Sequence, residues 1–183
     1  MGMKTEATLE DLYKVEGKAE IINGEVVPMS PTGRLPFYAA RAIFLSLYDY
    51  EKRTGIGYAV TDGAGFAVDL PHRKSFCPDA AFYVGDINSM KFFEGAPLFA
   101  VEVRSEHDRG PRAEEEIARK IADYFAAGTR VVWDVDLLSD EVVRVHRASE
   151  AGKVTVYRRG DVAEAEPALP GWRLPVDELF PQR

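Results

Sequence analysis

The chain has 183 residues, 46% of them hydrophobic, and a formal net charge of −7 at pH 7. This length and composition predict a single domain over residues 1–183 that buries a full core. The negative charge argues against a general nucleic-acid coat, although an acidic metal site can coexist with a local basic rim. The single cysteine, Cys77, excludes a disulfide framework and a multi-cysteine zinc site.

No membrane or export signal is evident in the sequence. There is no run of about 18 apolar residues, the length that a membrane-spanning helix needs. Residues 1–6 lack the apolar stretch of a signal peptide. We therefore predict a soluble cytoplasmic protein.

The N-terminal part predicts a short helix followed by a hairpin. Thr8, with Asp11 three residues later, is typical of the start of a capped helix over residues 8–13. Asn23-Gly24 stands between two apolar runs and predicts a hairpin over residues 19–29, because both turn residues must adopt positive φ.

Residues 36–52 predict an amphipathic helix that ends at Gly55. Its apolar residues recur three and four positions apart, so one stripe of the helix should face the core. The residues at this spacing are Phe37, Ala40, Phe44, Leu47, Tyr48 and Glu51, of which Glu51 is the charged member.

Short strands are predicted both before and after the central segment of residues 98–136. Residues 57–60 and 65–70 flank an Asp62-Gly63 turn, and a further strand covers residues 77–84. Residues 85–97 predict a loop or a short helix. Residues 141–147 and 153–159 predict a second hairpin, and the proline-rich tail at 169–176 should pack against the domain.

The central segment, residues 98–136, predicts two strands joined by a helix. The strands cover 98–105 and 130–136 and the helix covers 111–127, an arrangement that favours a parallel pair with a crossover helix. Glu102 and Arg104 are two positions apart and should lie on one face of the first strand. Burying charges on an otherwise apolar strand costs free energy unless they are paired with opposite charges or bind a ligand.

Three carboxylates stand at strand positions among apolar neighbours: Glu20, Asp79 and Glu102. Adjacent strands lie about 4.8 Å apart, so carboxylates from neighbouring strands can converge on one hard cation such as Mg²⁺. The alternative is that each carboxylate pairs with an arginine or lies on a solvated face.

Lys120 lies at the border of the apolar arc of the predicted central helix. It could lean over the sheet toward Glu102, where an ammonium can stabilise an attacking nucleophile and balance phosphate charge. Alternatively, it pairs with Glu116 one turn away. The surrounding basic residues form either a rim for a ligand or a solvated surface; they are Arg104, Arg109, Arg112, Arg119 and Lys120.

Other catalytic patterns are weak or missing. His72, His107 and His146 lack metal-ligand spacing, and Ser105 has no nucleophile elbow around it. No phosphate-binding or dinucleotide-binding glycine motif is present.

Pro78-Asp79, followed by Glu102-Val103-Arg104, resembles the PD-(D/E)XK motif of restriction-endonuclease-like nucleases. The wider pattern resembles one branch of that superfamily, the Uma2 family, over nearly the whole chain. The matching positions are 19–27, 29–31, 78–79, 101–105, 120, 124, 128, 132–136 and 169–172.

The resemblance implies an α/β fold, a restriction-endonuclease-like mixed β-sheet flanked by α-helices, and a metal-dependent endonuclease activity on DNA. Asp79, Glu102 and the backbone carbonyl of Val103 would bind Mg²⁺ or Mn²⁺. Glu20 would complete the acidic cluster, and Lys120 would be the catalytic lysine.

Arg104 takes the place that lysine holds in the superfamily's basic pattern. It could contribute positive charge but would be a poor base, because arginine stays protonated.

One departure from the family pattern keeps alternatives open. The family usually has a histidine shortly after the Ser-Pro loop, where this chain has Arg34-Leu35-Pro36-Phe37. A second hypothesis is therefore a nuclease fold that binds or regulates without cleaving, as a homodimer through the C-terminal hairpin. A third is hydrolysis of RNA or a nucleotide.

Overall fold

The computed structural model describes residues 6–182. Residues 1–5, on which the prediction about a signal peptide largely rests, lie outside the described residues. Within residues 6–182, no helix is both long and apolar enough to cross a membrane.

The described chain contains short strands and three α-helices. The helices are α1 (Leu9–Leu12), α2 (Arg34–Thr54) and α3 (Pro111–Ala127). The first strands are β1 (Ala19–Ile22), β2 (Glu25–Pro28), β3 (Tyr58–Thr61), β4 (Phe66–Ala67), β5 (Ser75–Phe76), β6 (Ala80–Tyr83) and β7 (Phe93–Glu94). The remaining strands are β8 (Phe99–Val103), β9 (Val131–Val135), β10 (Val143–Arg147), β11 (Val154–Tyr157), β12 (Val162–Glu164) and β13 (Arg173–Pro175).

A six-stranded mixed sheet lies at the centre, in the order β11-β10-β9-β8-β6-β3. β8 and β9 are parallel and are connected by α3, whereas the other neighbours are antiparallel. The predicted strand–helix–strand unit is therefore confirmed. Gly128 ends α3 with φ 111°, a conformation that a glycine adopts without strain.

One face of the central sheet packs against α2 and the C-terminal segment. The inward side chains of β8 and β9, including Phe99 and Trp133, meet Trp172 there, with ring centroids 5.5 and 5.0 Å from that indole. Trp172 also donates its ring N–H to Ser46 of α2, at 3.0 Å. The predicted packing of the tail is confirmed, and β12 and β13 add a hairpin that the sequence did not indicate.

The predicted buried stripe of α2 is correct in part, because Ala40 and Leu47 are buried. Phe37 is 55% exposed and Tyr48 39% exposed, although both were expected in the core. α2 has more than one apolar stripe, and the sequence does not show which of them meets the sheet. The buried residues are Ala39, Ala40, Ile43, Leu47 and Tyr50.

The opposite face of the sheet is covered by α3 and a small three-stranded sheet, β5-β4-β7. β4 was expected to follow β3 around the Asp62-Gly63 turn, and it does, but it pairs with β5 and β7 instead of β3. The segment 85–97, predicted as a loop or a short helix, is a loop that contains the short strand β7.

The two N-terminal predictions are confirmed. Thr8 caps α1 with a reciprocal bond to Asp11, and the β1–β2 hairpin turns at Asn23 and Gly24, with φ of 52° and 73°. The hairpin contributes to the candidate site, because β1 places Glu20 against the covered side of the central sheet near α3.

Removing the Trp172 side chain tests whether the C-terminal tail contributes to the core. We expect Trp172→Ala to lower the free energy of unfolding by about 3–5 kcal/mol, because the vacated volume cannot close fully. Urea denaturation measures this change. Met90→Ala is the matched control, since Met90 is fully exposed and its truncation should have little effect.

Candidate active site

Glu20 is a buried carboxylate with three partners. Its side chain is 3% exposed because β1 is packed between its hairpin partner and the residues that precede β6. Its Oε1 accepts the backbone N–H of Cys77 at 2.9 Å and lies 3.1 Å from Lys120 Nζ. Its Oε2 accepts Arg73 Nη1 at 2.6 Å. Burial would raise the pKa of Glu20, but the positive charges of Lys120 and Arg73 outweigh it and lower that pKa.

Asp79 lies at the end of the loop before β6, where its own N–H donates to the carbonyl of Val101 at 3.0 Å. Its Oδ2 accepts the backbone N–H of Val103 at 2.7 Å, which fixes the carboxylate beside the end of β8. Its Oδ1 accepts Lys18 Nζ at 3.1 Å. The same ammonium donates to Asp62 Oδ1 at 2.7 Å. Asp79 is thus oriented by both a backbone donor and a lysine.

Glu102 meets α3 through two side chains. Lys120 Nζ donates to its Oε2 at 2.9 Å, and the hydroxyl of Tyr124 donates to its Oε1 at 2.6 Å. Of the two orientations considered for Lys120, the structure shows the one that leans toward Glu102. Glu116, the alternative partner, instead accepts Arg112 Nε at 2.8 Å.

The structure therefore brings four of the predicted side chains together, and we refer to Glu20, Asp79, Glu102 and Lys120 as the four-residue cluster. Burial, with the negative charges of Asp79 and Glu20, raises the pKa of Glu102 to about 7 despite the opposing effect of Lys120. Burial would lower the pKa of Lys120, but the carboxylates of Glu102 and Glu20 raise it overall. Lys120 is consequently a fixed cation at neutral pH.

A second layer of contacts holds the cluster from the side of α3. Arg73 Nε donates to Asp123 Oδ2 at 2.7 Å, and His72 Nε2 lies 2.6 Å from Asp123 Oδ1. The Phe76 and Tyr124 rings stack with centroids 4.0 Å apart, and the Arg73 guanidinium lies over Phe76. These contacts restrict the rotamers of the groups that touch the cluster.

Arg104 is paired away from the cluster. Its guanidinium forms a bidentate contact with Asp134 of β9, at 2.7 and 2.6 Å, and also binds Glu114 at the start of α3. Glu102 and Asp134 lie opposite each other in the parallel ladder, which places Arg104 on the same face as Glu102, as predicted. The guanidinium joins the sheet to the first turn of α3.

The remaining basic residues of this segment do not form a free rim. Each has a carboxylate partner: Arg109 binds Asp136, Arg112 binds Glu116, and Arg119 binds Glu115. The last two pairs are exposed contacts along α3, so the interpretation as a solvated helix face fits them.

The donors around the cluster fit a divalent cation in chemistry and in charge. All available ligands are oxygens, the type that Mg²⁺ and Mn²⁺ prefer. Acidic groups outnumber cations here, with five carboxyl groups and three cations; these residues are Glu20, Asp62, Asp79, Glu102, Asp123, Lys18, Arg73 and Lys120.

Lys18 and Lys120 each contact carboxylates of the cluster. Within residues 6–182, no three His, Cys, Asp or Glu side chains are grouped closely enough to hold a metal ion by themselves. Val103 contributes its N–H to Asp79 in this arrangement, and the predicted role of its carbonyl stays a prediction.

Sequence reasoning missed several members of this network. Lys18 is two residues before Glu20, so strand alternation could have placed both side chains on one face. Asp62 and Arg73 come from a turn and a loop, and no local pattern predicts which distant group they meet.

The fold and the site together define an α/β protein of the restriction-endonuclease-like class, with mixed sheets flanked by helices. The sequence profile of the Uma2 family, described as "Putative restriction endonuclease", matches residues 7–177. The chain belongs to the Uma2 family.

A solved structure supports the fold assignment. It is a protein from Anabaena variabilis ATCC 29413 described as "a putative nuclease belonging to DUF820", with a TM-score of 0.74 and 17% sequence identity. The match covers 95% of this chain and 97% of the other. Comparison with the curated proteins found no match.

Replacing Arg104 tests whether this residue is structural. We expect Arg104→Met to lower the free energy of unfolding by about 3 kcal/mol, because Asp134 would stay buried without its bidentate partner. Among the described residues, its remaining ion pair would be the 3.6 Å contact with Arg144. Urea denaturation measures the change, with the exposed pair variant Arg112→Met as control. A loss no larger than that of the control would contradict this role.

Proposed function

We propose that the protein is an endonuclease that hydrolyses DNA phosphodiester bonds with Mg²⁺ or Mn²⁺. Membership of the Uma2 family supports a nuclease function. The observation that carries the finer proposal is the contact of Lys120 Nζ with both Glu102 and Glu20, at 2.9 and 3.1 Å, next to the oriented carboxylate of Asp79. Hard oxygen ligands suit the divalent cation of metal-assisted phosphodiester hydrolysis, and an ammonium beside them can stabilise charge that develops on the phosphate.

In this proposal Asp79, Glu102 and the carbonyl of Val103 hold the cation. When bound, the ion supplies Lewis-acid polarisation of the scissile phosphate and balances its charge. Tyr124 keeps one oxygen of Glu102 occupied and so limits the directions in which that carboxylate can offer a ligand. The Val103 N–H does the same for Asp79.

Lys120 acts as a fixed positive charge. Its carboxylate neighbours raise its pKa, so it cannot take a proton from water at neutral pH in this arrangement. It can instead orient the attacking water and stabilise negative charge that develops on the phosphate oxygens. Glu20 holds the ammonium in place, and Arg73 and the Cys77 N–H hold Glu20.

The rival hypothesis of a non-cleaving module predicted a Lys120 that points to solvent and pairs only with Glu116. The contact between Lys120 and Glu102 argues against that hypothesis, whereas Arg34 in the region of the family's usual histidine still motivates it. Cleavage of RNA or of a nucleotide is a further outcome that the cleavage assays distinguish. A cytoplasmic location, a homodimer and a single domain stay predictions.

Metal binding and cleavage are tested together on the two proposed ligands. We expect wild type to bind Mn²⁺ in calorimetry and to nick plasmid DNA, and we expect Asp79→Asn and Glu102→Gln to lose both. Glu115→Gln, on the exposed face of α3, is the control and should behave as wild type. Wild-type cleavage by either ligand variant would refute the assignment, and binding without cleavage of DNA would direct the assay to RNA and nucleotides.

Lys120 is tested by separating binding from cleavage. We expect Lys120→Met to keep Mn²⁺ binding but to nick plasmid at least ~100-fold more slowly, because it removes charge stabilisation from the reacting phosphate. Nicking rates at saturating Mn²⁺ give the comparison, and circular dichroism confirms the fold. A rate within twofold of wild type would exclude Lys120 from the reaction.

A further inference from the structure

Lys18 is a lysine at the edge of the four-residue cluster for which the proposed mechanism has no role. It directly precedes β1, and its side chain is 15% exposed. Its ammonium is shared between Asp62 of the β3–β4 turn, at 2.7 Å, and Asp79, at 3.1 Å. Three segments that are distant in sequence thus meet at one charge.

The contact with Asp79 uses a specific oxygen. Oδ2 of Asp79 is taken by the Val103 N–H, which belongs to the sheet backbone and cannot turn away. Oδ1 is the oxygen that faces Lys18. A cation that binds Asp79 through Oδ1 must therefore displace the ammonium or accept its repulsion, since like charges a few ångströms apart repel strongly in a half-buried site.

Asp62 holds the other side of the same ammonium. Its side chain is 34% exposed, and Thr32 Oγ1, from the loop before α2, lies 3.4 Å from its Oδ2. The ammonium lies closer to Asp62, at 2.7 Å, than to Asp79, at 3.1 Å. Attraction to Asp62 therefore draws the ammonium away from Asp79, and loss of Asp62 would let it move toward Asp79.

We infer that Lys18 and Asp62 are positioning residues that set how tightly Asp79 binds a divalent cation. Lys18 occupies Asp79 Oδ1 in competition with the cation, and Asp62 gives the displaced ammonium a second partner. This inference rests on the proposed metal-dependent function and assigns a role to two residues outside the four-residue cluster.

The two residues have opposite effects in this scheme. Removing the charge of Lys18 frees Asp79 Oδ1 and raises the affinity for the cation. Removing the charge of Asp62 leaves the ammonium to Asp79 alone and lowers that affinity. A salt bridge that only stabilises the fold predicts instead that both variants melt at a lower temperature without Mn²⁺ and that neither gains affinity for the cation.

The experiment is a calorimetric titration of Mn²⁺ into wild type, Lys18→Met and Asp62→Asn, together with thermal melts of each protein with and without Mn²⁺. We expect Lys18→Met to bind roughly tenfold tighter and Asp62→Asn to bind more weakly than wild type by a similar factor. The Mn²⁺-induced rise in melting temperature should follow the same order. Lys18→Gln is measured as well, in case the methionine variant does not fold.

Lys153→Met is the matched control for the loss of one lysine charge. Lys153 pairs with Glu150 in the β10–β11 connection, three strands from β8 in the sheet. Its replacement should leave Mn²⁺ affinity within twofold of wild type. If Lys153→Met raised Mn²⁺ affinity as much as Lys18→Met does, the change in net charge alone would explain the effect and the inference would be overturned.

The remaining outcomes separate this inference from the proposed function. If wild type binds Mn²⁺ through Asp79 but the Lys18 variants bind equally or less tightly, the inference is wrong and the proposed metal site stands. If neither wild type nor any variant binds Mn²⁺, the metal-dependent function fails and the inference fails with it. If only the Lys18 variants bind, and Asp79→Asn abolishes that binding, the competition is supported directly.

Discussion

The ammonium of Lys120 between Glu20 and Glu102 is the interaction on which the arrangement of this site depends. The hairpin, the central sheet and α3 each contribute one member of this contact, so none of the three can shift without separating opposite charges in a buried place. A buried ion pair of this kind gives little net stability by itself, since desolvation offsets much of the attraction. Its effect is to define one relative position for the three elements and to keep the lysine charged.

The same site illustrates how the protein keeps carboxylates close together. Lysines lie between the carboxylates, and backbone N–H groups of Cys77 and Val103 hold Glu20 and Asp79 in fixed orientations. Each lysine thus balances negative charge that would otherwise be costly to bury. In the function proposed above, divalent cation binding would exchange one positive charge for another, and the affinity would depend on how firmly the ammonium groups are held.

Much of the fold could be predicted from local sequence patterns. The Asn23-Gly24 turn and the end of α2 at Gly55 rest on backbone preferences that only a few residue types satisfy, and these predictions are confirmed, as are the bounds of α3. The buried stripe of α2 was predicted only in part, at Ala40 and Leu47, because apolar residues lie on several sides of that helix and packing against the sheet selected one of these sides. β12 and β13 gave no signal, since strands of three residues carry too little pattern.

The sequence by itself determined the residue types of the site: carboxylates at strand positions Glu20 and Glu102, Asp79 after a proline, and a lysine at the edge of the apolar arc of α3. The positions of these residues on strands and on a helix can be predicted because strand and helix periodicity depends on residues that are close in the sequence. Only the tertiary structure decided which charges meet, namely that Lys120 reaches Glu20 as well as Glu102, that Arg104 turns to Asp134, and that Lys18 links Asp79 to Asp62. Those partners are 18 to 100 residues apart, and charge attraction depends on distance in space, which no local spacing encodes.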